Sequence, residues 1–145
     1  MKPTQYTNGA PVAPFSRRIP AIVRILMGLP LVVFGLNLFL NFIPPPPTPL
    51  PAGAAAFAGA LAQTGYMMPL IGVTLLIVGV MLLTNRFVPL ALALFAPFIL
   101  NSVAFHLFLE RSGMIMAGVF LIMELYLAWV YRRAYASMLA AKVTL

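Results

Sequence analysis

Cysteine is absent from this chain of 145 residues, only two residues are acidic, and one is histidine. Without cysteine there are no disulfides, thiolate nucleophiles, iron–sulfur ligands or cysteine zinc sites, although compartment redox state stays open. A lone histidine is equally poor ground for a metal centre. Charged residues make up 8% of the chain, against about 25% in ordinary soluble domains. Too few polar side chains exist to coat a water-facing globule. What the chain has instead is apolar side chains, 63% of the total. At roughly 20 residues per crossing, this length allows four helical spans and no soluble catalytic domain, which excludes most enzyme classes. The formal net charge of +7 raises nucleic acid as a partner, but the basic residues lie where a bilayer explains them better.

The apolar runs are residues 19–43, 66–84, 87–109 and 113–131. They are apolar all round and longer than barrel strands, which alternate over about ten positions. The expected fold is therefore all-α, a four-transmembrane-helix antiparallel bundle with both termini cytoplasmic. Residues 1–18, rich in proline and polar side chains, read as a disordered cytoplasmic tail, and residues 132–145 as a second cytoplasmic tail. Orientation follows from arginine and lysine. Lys2, Arg17, Arg18, Arg86, Arg132, Arg133 and Lys142 fall on one side, and only Arg111, beside Glu110, on the other. The first run is too long for a cleavable signal segment, and no Ala-x-Ala site follows it, so it reads as an uncleaved helix. The expected location is a membrane, with lipids as partners and no nucleic acid.

Proline dominates the loop after the first span. Pro44 to Pro47, with Pro49 and Pro51, predict a stiff polyproline II spacer. Residues 52–65 then predict a short helix in the outer headgroup layer, with Phe57 and Leu61 four apart. A loop anchor, a lid and a docking edge are all compatible with it. Gly28 and Gly35 in the first span echo Gly72 and Gly79 in the second, both pairs seven apart, which predicts that these two helices touch along small-residue faces. Pro30 and Pro97 interrupt the first and third spans and free the carbonyls of Leu26 and Ala93.

Two ionisable groups lie well inside apolar runs, Arg24 and Glu124. A charge at the bilayer centre costs roughly 2.5 to 3.5 kcal/mol on insertion scales, so each needs a partner, a cavity or an interface. Counting from Arg18 and Arg132 at 1.5 Å per residue puts them about 9 and 12 Å inside the cytoplasmic boundary. Arg24 shares a stripe with Gly28, Leu31 and Gly35, and Glu124 with Gly113, Ala117 and Ala128. Equal depth and small-residue faces predict a structural ion pair joining the first and fourth helices. Glu124 as a proton or ligand site, and Arg24 snorkelling to headgroups, are the alternatives.

A second polar set lies toward the outer side: Asn37, Asn41, Asn101, Ser102 and His106. Ser102, His106 and Glu110 are successively four apart, a ladder along one helix. Three residues stacked on one helix do not converge on a substrate as a hydrolase triad must, so no catalytic residue is assigned. His106 reads as hydrogen-bonded to Glu110 or headgroups, or as part of an outer polar pocket for the head of a quinone or another amphiphile. Tyr66 outside, with Tyr126, Trp129, Tyr131 and Tyr135 inside, forms an aromatic belt.

Taken together, Arg24-x-x-x-Gly28, Phe34-Gly35-Leu36-Asn37, Gly65-Tyr66, Gly79 and Phe105-His106 resemble the DoxX family of small bacterial membrane proteins over about residues 20–135. The long proline run departs from the shorter loops of that pattern. The resemblance implies a four-helix membrane bundle, in some members associated with redox enzymes: thiosulfate:quinone oxidoreductase in archaea and oxidative-stress complexes in bacteria. No thiosulfate site is visible in the residues. The expected role is an accessory membrane subunit of a redox or quinone-linked process, not catalytic on its own, with quinone as the conceivable cofactor and a membrane redox complex as partner. A non-enzymatic scaffold or assembly factor for another membrane protein, and a small proton-coupled transporter using Glu124, are the competing readings.

Overall fold

A computed structural model describes residues 18–45 and 47–136; the expected tails lie outside the described residues at 1–17 and 137–145. The described chain is helical: α1 (Ile19–Leu40), α2 (Ala52–Gln63), α3 (Met67–Leu83), α4 (Val88–Phe108), α5 (Met114–Val130), and a closing 3₁₀ turn, Arg132–Tyr135. No strand occurs among the described residues. Two helices, α1 and α4, are long and apolar enough to cross a membrane; α5 is apolar but has 17 residues. Helices α2 and α3 form a pair bent by 90° at the intervening break.

Local chemistry sets the ends. Pro20 and Pro89 sit in first turns, where the missing N–H is no loss. The first helix stops three residues short of the expected 43, because Asn41 adopts a left-handed conformation (φ 48°) and ends it. The N–H of Asn41 donates to the Asn37 carbonyl at 2.9 Å, and that of Ile43 donates to Asn37 Oδ1 at 2.7 Å. Asparagine tolerates this geometry and so serves as a C-cap. The turn from α3 to α4 likewise uses two left-handed residues, Asn85 (φ 56°) and Phe87 (φ 55°).

Packing follows the glycines. α1 lies antiparallel to α3, with Gly28 against Gly79 and Gly35 against Gly72. A Cβ on Gly28 would stand 3.0 Å from the Gly79 carbonyl oxygen, and one on Gly79 would stand 2.9 Å from that of Gly28. Neither backbone can yield, so only glycine allows this approach. α3 continues onto α4, α4 onto α5, and α5 returns to α1. Met27, Leu31, Val78, Leu82, Leu92, Phe95 and Leu127 are enclosed between them. The outward faces stay oily: Phe108 is 79% exposed and Ile115 82%. Such faces match a hydrocarbon solvent.

The short helix α2 forms where the small-residue segment predicts it. It docks on the protein, with Ala54 fully buried and Phe57 packed on Phe105 at 5.6 Å between ring centroids. Its alanines and glycines permit the approach: a Cβ on Gly53 would meet Leu109 at 3.2 Å.

Candidate functional site: an apolar cleft edged by a histidine–glutamate dyad

Three adjoining cavities open at the end of the molecule where α2 lies. The first, about 320 Å³, is bounded by α1, α3, α4 and α5, with Leu31, Phe95, Phe120, Ser102, His106 and Gly113 among its walls. The second, about 330 Å³, adds Asn37, Asn101 and the α2 residues Phe57, Ala58 and Leu61. The third, about 440 Å³, runs past Thr74, Pro97 and Asn101. Phe98 borders all three, and Ser102 lies between the first two. Each volume falls within the range of small-molecule pockets, and the combination of apolar walls with few polar groups is typical of them.

His106 and Glu110 form the polar edge. His106 Nδ1 lies 2.9 Å from the Glu110 carbonyl oxygen and 3.1 Å from Glu110 Oε2. Glu110 Oε1 accepts the Ser112 N–H at 2.7 Å, and Oε2 accepts that of Gly113 at 3.2 Å. The carboxylate thus serves donors at the start of α5, where negative charge is favoured by the helix dipole. Hydrogen bonds from Ser112, followed by those from Gly113 and His106, pull the Glu110 carboxyl down to about 2. The imidazole packs directly on Gly113, where any Cβ would overlap ring atom Cε1.

The cleft gathers four of the five residues in the expected outer pocket: Asn37, Asn101, Ser102 and His106. Asn41 is not among its lining residues; its backbone is committed to ending α1. The sequence reading missed Gly113 as the bed of the imidazole and α2 as a wall. The Glu-Arg-Ser-Gly connection was a usable signal, since a negative charge is favoured beside a helix N-terminus.

At the opposite end, Arg24 and Glu124 are both buried, 9% and 5% exposed. The direct pair expected from their depth is not made. Among the described residues the one contact within 4.0 Å between a basic and an acidic side chain is His106–Glu110, an ion pair only when the imidazole is protonated. Arg24 Nε and Nη1 and Glu124 Oε2 have no hydrogen-bond partner. Depth counts residues along an axis; it does not aim the two side chains at each other. Nearby, Tyr135 donates to the Pro89 carbonyl at 2.9 Å and ties the end of α5 to the start of α4. Burial, then the Glu124 charge, pushes the Tyr135 hydroxyl above its ordinary range.

The described residues contain no cluster of three or more histidine, aspartate or glutamate side chains able to hold a metal ion. These features define a class, a helical protein with membrane-length apolar helices and an apolar cleft at one end. The chain matches no family model, no curated protein and no solved structure.

Proposed function

We propose that this chain is a DoxX-like protein of the bacterial inner membrane and an accessory subunit of a quinone-linked redox process. On this reading α1, α3, α4 and α5 are the four crossings, both termini and the α3–α4 turn face the cytoplasm, and the cleft opens at the outer leaflet. The placement of Arg18, Arg86, Arg132 and Arg133 supports the orientation. The observation that carries the functional reading is the His106–Glu110 dyad at the edge of an apolar cavity of about 320 Å³.

The residues fit a quinone head and the first part of its tail. Phe95, Phe98 and Phe120 supply flat apolar surface, while Ser102 and His106 offer hydrogen bonds on one side only. A bound quinone would supply exchange of electrons and protons between its oxidised and hydroquinone forms. Glu110 fixes the imidazole ring, Gly113 lets α5 lie against it, and the α2 residues Phe57 and Leu61 add apolar wall to the neighbouring cavity.

Extraction of the protein with its surrounding lipid, followed by mass spectrometry, tests this reading. Quinone should co-purify near one per chain and fall to background in Ser102→Phe, which fills the wall shared by two cavities. Quinone no higher than in bulk membrane would remove the proposal. One observation favours a second reading, a proton-coupled carrier: the buried Glu124, whose Oε2 has no hydrogen-bond partner among the described residues. Proton flux in liposomes abolished by Glu124→Gln is its signature.

A further inference from the structure

We infer that the cleft selects an amphiphile whose head donates an O–H, an aryl hydroxyl such as a hydroquinone, over the same head in its carbonyl form. The inference rests on the cleft being the ligand site proposed above and specifies its chemistry. It begins with the two oxygens facing His106 Nδ1. One is a backbone carbonyl at 2.9 Å and the other a carboxylate oxygen at 3.1 Å. Both are acceptors with no proton to give, since the Glu110 carboxyl titrates near 2. Nδ1 must therefore carry a hydrogen, because a lone pair there would face two others. In the neutral ring this leaves Nε2 as a bare acceptor.

Gly113 holds the ring in this arrangement. A Cβ at that position would overlap Cε1 and stand 2.6 Å from each ring nitrogen, so the α5 backbone is seated against the imidazole. Nε2 has no hydrogen-bond partner among the described residues and is not fully enclosed by them. His106 borders the first cavity together with Ser102, one turn away on the same helix. A serine hydroxyl both donates and accepts.

An O–H on a ligand needs an acceptor for its proton and a donor for its oxygen lone pair. Nε2 supplies the first and Ser102 the second. A carbonyl head can accept from Ser102 but leaves the Nε2 lone pair unsatisfied against apolar walls. Leaving a buried acceptor unmade costs enough to separate the two forms by on the order of tenfold in affinity.

Because the chain has a single histidine, ¹⁵N-histidine labelling reports His106 alone in a protein purified on a histidine-free tag. The probes are a decyl benzohydroquinone, its oxidised quinone and its dimethyl ether, added to the intact protein in nanodiscs above neutral pH. The free protein should show a protonated Nδ1 and an unprotonated Nε2. The hydroquinone should move the Nε2 resonance and bind about tenfold tighter than the quinone, while the ether leaves Nε2 unmoved. Ser102→Ala should weaken hydroquinone binding without changing the tautomer, and Gly113→Ala should disturb the tautomer itself. A proton on Nε2 of the neutral ring overturns the inference. So does equal binding of quinone and hydroquinone, an outcome that leaves the proposed site standing. Failure of all three probes to bind removes both.

Discussion

At the residue scale, the weight falls on a few polar side chains in an oily chain. The Glu110 carboxyl, held near 2 chiefly by hydrogen bonds from Ser112, lies below its ordinary value of 4.5. A depressed acid adds stability above its ordinary value and loses it as pH falls through the folded one. The His106–Glu110 contact and the start of α5 should therefore hold at pH 4 and loosen toward pH 2. Thermal melts of wild type and Glu110→Gln check this: the difference between them should shrink across that window, and a constant difference would contradict it. Arg24 and Glu124 behave differently. Glu124 is buried with Oε2 lacking a hydrogen-bond partner; burying a charge without compensation costs stability, and a neutral side chain of similar size removes that cost. Glu124→Gln should therefore leave the melting temperature unchanged or raise it. A large loss would mean that a partner satisfies Glu124 in the membrane.

At the element scale, glycine identity alone does not set the cost of substitution. Gly79→Ala pushes a Cβ to 2.9 Å from the Gly28 carbonyl oxygen, and overpacking of this kind costs about 1–3 kcal/mol. Gly59, inside α2, would meet nothing within 4 Å, so Gly59→Ala should stabilise by about 0.5–1 kcal/mol through helix propensity. Chemical denaturation in micelles separates the two, and equal effects would contradict the α1–α3 register. Asn41 gives a third case. Its left-handed cap excludes β-branched side chains, so Asn41→Val should cost about 1–2 kcal/mol while Asn41→Gly is tolerated.

Much of this level was legible in the sequence, for identifiable reasons. The ends of α3, α4 and α5 fall within one residue of the expected runs, because Thr84-Asn85-Arg86 and Glu110-Arg111-Ser112 interrupt the apolar sequence sharply. The glycine pairs seven apart in both helices announced the α1–α3 contact. Less legible was anything set by side-chain direction. Arg24 and Glu124 are both buried without forming an ion pair, and the seating of His106 on Gly113 depends on how two helices meet. Nor did composition show that α2 docks through Phe57 against Phe105.

At the scale of the whole molecule, the parts arrange as two polar stations at opposite ends of an apolar body. One is the cleft with His106, roofed in part by α2; the other is the buried Arg24 and Glu124 with Tyr135. In the proposed topology the first faces the outer leaflet and the second lies near the cytoplasm. The account depends on this polarity, since a cleft opening inward would meet different lipid heads and partners. A chain without native cysteine suits the direct measurement, labelling of single cysteines by a membrane-impermeant maleimide on intact cells. Thr48→Cys and Ser112→Cys should label in intact cells, whereas Arg86→Cys and Thr144→Cys should label only after the membrane is opened. Labelling of Arg86→Cys on intact cells, or of Thr48→Cys and Ser112→Cys only after lysis, would contradict the proposed topology.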